Sequence, residues 1–323
     1  MAGLLLVGFP GPTPSAELLA LVREGVAGVV YFRRNVQGGP EAIARLTAAL
    51  QAEAAAAGRP PLLVAVDQEG GPVARLSAPF TEFPGARALG LAADERLAER
   101  VGRATAAELR AVGITVNLAP VVDVLTHPAN PVMAGRTFGT DPALVARLGA
   151  ALVRGLQAGG VAACAKHFPG HGDTDEDSHR TLPVVPHPLE RLERVELPPF
   201  AAAVAAGVAM VMTAHVLYPA LDPDRPATLS ARVVEGLLRR RLGFDGVVVS
   251  DDLEMAAVAG RFGWEEAVVA AVEAGCDLLL ICHDAERQQR AIAALGRAVA
   301  IGRLAPARVE ASLARLARLR QRL

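Results

Sequence analysis

The chain has 323 residues, a formal net charge of −1 and 52% hydrophobic side chains, which excludes disorder and leaves enough apolar surface for at least one large core. Its 33 basic and 34 acidic residues nearly cancel, so neither nucleic acid nor an anionic membrane surface is expected as a partner. The cysteines Cys164, Cys276 and Cys282 lack metal-ligand spacing and sit in apolar runs, which excludes a disulfide scaffold and fits small buried hydrophobes in a reducing cytosol.

Residues 1–10 are apolar without a basic flank and meet Gly8 and Pro10 almost at once. They are expected to form a first buried strand, not a signal peptide or a membrane span, in a cytoplasmic protein. From there, short aliphatic runs alternate with longer Ala-, Leu- and Arg-rich segments of helical period. In chain order the spacing predicts strand 4–9 and helix 15–24, then 28–32 and 41–57, 62–66 and 95–111, 114–118 and 142–158. The second half continues with 161–165 and 197–206, 209–213 and 231–241, 246–249 and 264–274, 277–281 and 285–301. Ser15 and Ser230 stand where N-cap oxygens are wanted, and Gly113, Gly159 and Gly243 follow helix ends.

Eight strand–helix pairs predict an α/β fold, a (β/α)8 TIM-like barrel. A length prior of about 150 residues per domain also admits two domains, but no linker or composition shift divides the chain, and 1–323 is read as a single catalytic domain. The Arg- and Leu-rich segment 306–323 is expected to be an extra C-terminal amphipathic helix on the barrel's outside, its arginines a solvated face.

In such barrels chemistry gathers where strands end, and here polar residues follow the apolar runs repeatedly. Asp67 follows the third strand, Asn117 ends the fourth with Asp123 beyond, and Lys166 and His167 follow the fifth. His215 follows the sixth, and Ser250, Asp251 and Asp252 the seventh. Lys166 is the only lysine among the 33 basic residues, which points either to a position that needs an ammonium and not a guanidinium or to chance survival of one lysine on a solvated face.

Residues 166–179 form a Gly-rich, ionisable loop with three of the seven histidines. Pro169 and Gly170 between His167 and His171 remove the helical geometry of a zinc pair, so no metal or cofactor is expected. Asp177 and His179 could be a dyad in which the carboxylate orients an imidazole for proton transfer, or part of a solvated acidic loop. Asp251, at the barrel mouth, is placed to serve as a nucleophile or as a partner of a developing cation. Asp252 fits the N-cap of a helical stretch over 253–259, which leaves Asp251 for chemistry. In 67–71, Asp67 is suited to accept hydrogen bonds from sugar hydroxyls, and Arg75 and Arg136 to donate to them; the same turn could also be plain punctuation.

These residues carry a resemblance to glycoside hydrolase family three, within it to the single-domain bacterial β-N-acetylglucosaminidases. The carrying motifs are Asp67 to Gly71 with Arg75, residues 117–123, Arg136-Thr137-Phe138-Gly139, the 166–179 loop and Ser250-Asp251-Asp252-Leu253-Glu254-Met255. The resemblance implies a retaining mechanism: Asp251 attacks the anomeric carbon, and His179, paired with Asp177, protonates the leaving oxygen and later deprotonates water. It further implies that Asp67, Arg75, Arg136, Lys166 and His167 bind N-acetylglucosamine in the innermost subsite, in saccharides or muropeptides met during cell-wall recycling. Larger members supply a Glu acid/base from a second domain, so here the His179 loop is expected to do that work. Pro72 stands where the pattern has Arg, and Gly135 where it has an acidic residue.

Attack by phosphate instead of water on the glycosyl-enzyme is an alternative, because imidazole repels an anion less than a carboxylate does. A Schiff-base lyase using Lys166 is a second alternative, and a sugar-binding protein that would not need Asp251 or His179 is a third.

Overall fold

A computed structural model describes residues 1–178 and 181–323. Eight parallel strands close into a barrel in sequence order: β1 (Leu5–Val7), β2 (Gly28–Tyr31), β3 (Leu63–Val66), β4 (Val116–Asn117), β5 (Ala162–Phe168), β6 (Met210–Thr213), β7 (Val247–Asp252) and β8 (Leu278–Ile281), with β8 pairing back onto β1. Each strand is covered on both faces, so its sequence is continuously apolar instead of alternating. Residues such as Leu6, Val30, Leu63, Val116, Cys164, Met212, Val249 and Leu280 fill the interior, while Val29, Val64, Ala163, Val211 and Leu279 point to the helical layer. All three cysteines are buried and unpaired.

The predicted elements form with small changes at their ends. Helices Glu95–Ala111, Pro142–Ala158 and Trp264–Ala274 have the expected bounds. Ser15 caps its helix by accepting from Leu18 N, and Ser230 Oγ accepts from Val233 N ahead of a π-wound helix over Arg232–Arg241. The larger changes lie at strand ends. β5 runs on to Phe168 and β7 to Asp252, because the ladder continues through polar residues that an apolar pattern does not mark. Helices Ala86–Ala92 and Leu189–Arg194 were not foreseen.

The helix Pro306–Arg320 does more than lie on the outside. Its Leu316 and Leu319 join the interior cluster at the barrel's N-terminal end, closing it from below. Nor are its arginines simply solvated. Arg308 and Arg315 reach Asp277, which is fully buried just ahead of β8 and also receives Ser312 Oγ, Arg239 and Val248 N. A buried carboxylate demands such partners, and they bolt two helices to the barrel floor. Among the described residues no helix is long and apolar enough to cross a membrane.

Candidate active site

The C-terminal mouth is built from β3 upward. Immediately after β3, Gln68–Gly70 pairs with Val73–Ala74 as a small hairpin, with Gly70 and Gly71 at positive φ in its turn. Asn117 at the end of β4 clasps this hairpin with two hydrogen bonds, accepting from Gln68 N at 3.0 Å and donating to Gln68 O at 2.9 Å. Gln68 Oε1 in turn accepts from the backbone of Arg75 and Leu76. Asp67, Glu69 and Arg75 are thus fixed by backbone contacts, not by their own charges.

Those charges then meet Lys166 and Arg136. Lys166 Nζ lies 2.8 Å from Asp67 Oδ1 and 2.7 Å from Glu69 Oε1, with its side chain 3% exposed. Arg136 forms a two-pronged pair with Glu69 at 2.8 and 3.0 Å, and Arg75 reaches Asp67 at 3.2 Å. Burial alone would raise the Asp67 carboxyl, but Lys166, Arg75 and Arg136 outweigh it and hold the group down at about 2. Burial likewise works against the Lys166 ammonium, yet Asp67 and Glu69 hold it above the usual lysine value. An amine kept protonated between two carboxylates is not a nucleophile, which removes the basis of the Schiff-base reading. Only a compact cation fits between two acids in so little space.

His167 is oriented by Asp123, which is fully buried and accepts from His167 Nδ1 at 2.8 Å and from the backbone of His167 and His171. Burial first, then the Arg136 charge, push the His167 pKa well below the usual range. The ring is therefore neutral, with Nδ1 donating to Asp123 and Nε2 left as an acceptor. His171 is buried too and is held through Thr174 and Ser178. Among the described residues no group of three histidine, cysteine or acidic side chains could hold a metal ion.

On β7, Asp251 Oδ1 accepts from Asp252 N at 2.8 Å. Neither aspartate caps a helix: the next one, Ala256–Phe262, starts after Met255, and Asp252 Oδ1 accepts from Glu254 N in a tight turn instead. This corrects the expected N-cap role of Asp252. His215 donates from Nε2 to the Asp252 carbonyl, fixing the backbone beside Asp251.

One cavity of about 510 Å³ brings Asp251 together with Asp67, Arg75, Arg136, Lys166 and His167. Asp177 is not among its lining residues; its carbonyl accepts from Thr181 N. His179 lies outside the described residues. Glu69 and Asp123 had no role assigned from the sequence, although Glu69 is two residues from Asp67 on an extended segment and so shares its face. The two departures from the family pattern meet in space, since a side chain on Gly135 would touch the Pro72 ring at 3.5 Å. Both positions are exposed and outside the cavity lining.

A closed parallel barrel with a pocket of acids and cations at its C-terminal mouth is the architecture of a barrel enzyme, with the charged side chains at the strand ends where such barrels carry their chemistry. The sequence profile of the Glycosyl hydrolase family 3 N terminal domain matches residues 4–319. A β-hexosaminidase of Chromobacterium violaceum is 43% identical over 87% of this chain and 78% of its own length. β-Hexosaminidase A of Pseudoalteromonas piscicida is 38% identical over 97% of this chain. The structure of a family 3 β-N-acetylglucosaminidase from Paenibacillus sp. str. FPU-7 superimposes with a TM-score of 0.98, at 51% identity over 99% of this chain. The chain spans 56% of the Pseudoalteromonas protein and 61% of the Paenibacillus chain. The chain belongs to glycosyl hydrolase family 3.

Proposed function

We propose that residues 1–323 act as one catalytic domain, a retaining β-N-acetylglucosaminidase that removes terminal N-acetylglucosamine from peptidoglycan-derived fragments in the cytoplasm. The carrying observation is that Asp251 shares one cavity with Asp67, Arg75, Arg136, Lys166 and His167. Ionised Asp67, neutral His167 and the remaining N–H groups of Lys166 and Arg136 offer acceptors and donors for several sugar hydroxyls at once. Relatives named for β-hexosaminidase and β-N-acetylglucosaminidase activity support the sugar class. Three buried, unpaired cysteines fit a reducing compartment.

In this reading an Asp251 oxygen attacks the anomeric carbon as the bond to the leaving oxygen breaks, and His179, oriented by Asp177, delivers a proton to that oxygen. Water then attacks the same carbon, gives its proton to His179 and releases Asp251. This replaces one of the usual two carboxylates by an imidazole, whose ordinary pKa suits proton transfer near neutrality.

The test is intact-mass analysis after incubation with 2-acetamido-2-deoxy-5-fluoro-glucosyl fluoride, with peptide mapping. The expected result is an adduct on Asp251. Cleavage of aryl N-acetylglucosaminides without such an adduct would overturn the nucleophile assignment, and no cleavage at all would overturn the activity. Product analysis with added phosphate separates hydrolysis from phosphorolysis.

A further inference from the structure

The acidic residues that follow one another at the end of β7 have three different tasks. Asp251 faces the cavity. Asp252 Oδ2 pairs with His283 Nε2 at 3.3 Å. Glu254 accepts from three successive backbone N–H groups of the loop after β8, those of Cys282, His283 and Asp284, at 2.8, 2.6 and 3.1 Å. The His283 ring lies against the Phe32 ring, with centroids 5.5 Å apart and planes tilted by 38°. Backbone, ring face and Nε2 of His283 are therefore each held by a separate partner. Its Nδ1 has no hydrogen-bond partner among the described residues, and the residue lines the same cavity as Asp251.

The cavity lining is chemically mixed. Its polar residues match hydroxyls; its apolar residues include Met255 and Ala256, a few positions after Asp251 in the chain, and Phe32, whose ring lies against His283. Resting on the reading that the pocket takes N-acetylglucosamine, the only apolar appendage to be accommodated is the acetyl methyl, and it comes attached to a carbonyl acceptor. The acetamido group sits on C2, next to the carbon that Asp251 attacks. Met255 and Ala256 follow Asp251 closely in the chain, and His283 is tied to Asp252.

We propose that His283 is a specificity-determining residue for the 2-acetamido group, donating from Nδ1 to the acetamido carbonyl while Phe32 and Met255 take the methyl. The donor depends on charge. With Asp252 occupying Nε2–H, a neutral ring keeps its proton there and Nδ1 becomes an acceptor; only the imidazolium donates from both nitrogens. Around the ring, Asp252 first and Glu254 next favour the imidazolium, while partial burial and Arg34 oppose it, and the balance is a raised pKa.

The experiment compares 4-nitrophenyl N-acetyl-β-glucosaminide with 4-nitrophenyl β-glucoside on wild type, His283→Ala and Asp252→Asn. His283→Ala should lower kcat/KM for the N-acetyl substrate by about tenfold or more, the worth of a charged hydrogen bond, chiefly through KM, and leave the glucoside unchanged. Asp252→Asn should move the pH above which wild-type discrimination declines to a lower value. Equal losses on both substrates, or none on either, would overturn the proposal in an active enzyme. A wild type inactive on the N-acetyl substrate would instead overturn the function on which it rests.

Discussion

Lys166 stands 2.7 Å from Glu69 and nearly as close to Asp67, so one ammonium bridges two carboxylates whose remaining charge is met by Arg75 and Arg136. Lys166→Met should cost about 3–5 kcal/mol, the penalty for leaving buried charges without their partner. Lys166→Arg should keep most of that stability and lose substrate affinity, since a planar fork cannot occupy the space of an ammonium. Denaturant unfolding and KM measured on both variants decide this; unchanged stability in Lys166→Met would contradict the pairing.

The same cluster sets a pH dependence. Asp67 is held at about 2 by Lys166, Arg75 and Arg136 against its burial, below the ordinary aspartate value of about 3.9. A lowered folded-state pKa contributes stability that is complete above the unfolded value and disappears as pH falls through the folded one. The stability gap between wild type and Asp67→Asn should therefore be constant from pH 7 to about 4 and shrink from there towards pH 2. A gap that stays constant to pH 2 would mean Asp67 is not held down by its partners.

Asp277 tests the opposite end of the barrel. Its carboxylate gathers Arg239, Arg308, Arg315 and Ser312 with no exposure to solvent. Asp277→Asn should destabilise the fold by about 3 kcal/mol or more while leaving kcat/KM of the folded fraction unchanged, because the proposed active site is at the other ends of the strands. Thermal unfolding together with steady-state kinetics at low temperature measures both. A selective loss of activity without loss of stability would refute this division.

Removing the two proposed catalytic groups should give different signatures. Asp251→Ala should abolish turnover of every substrate, since no covalent intermediate can form. His179→Ala should slow substrates with poor leaving groups by about 10²–10⁴-fold and activated aryl glycosides far less, because the latter need no proton on departure. Rates across a series of aryl leaving groups provide the measurement, and a uniform loss across the series would count against His179 as the acid.

The sequence determined the barrel because strands covered on both faces must be apolar throughout, and eight such runs alternate with helical segments such as Glu95–Ala111 and Trp264–Ala274. Polar side chains directly after apolar runs also pointed to Asp67, Lys166, His167 and Asp251, and the motifs of the family resemblance added Arg75 and Arg136; all six line one cavity. Tertiary structure decided what those residues touch. Glu69 bridges Lys166 and Arg136, and Asp123 sets the tautomer of His167, both through contacts between segments far apart in the chain. It also turned the last helix into the barrel's floor, because the partner of its arginines, Asp277, is buried ahead of β8 and carries no periodic signal. Periodicity reports which face of an element is buried; which charges meet there depends on how the closed barrel brings its strand ends together.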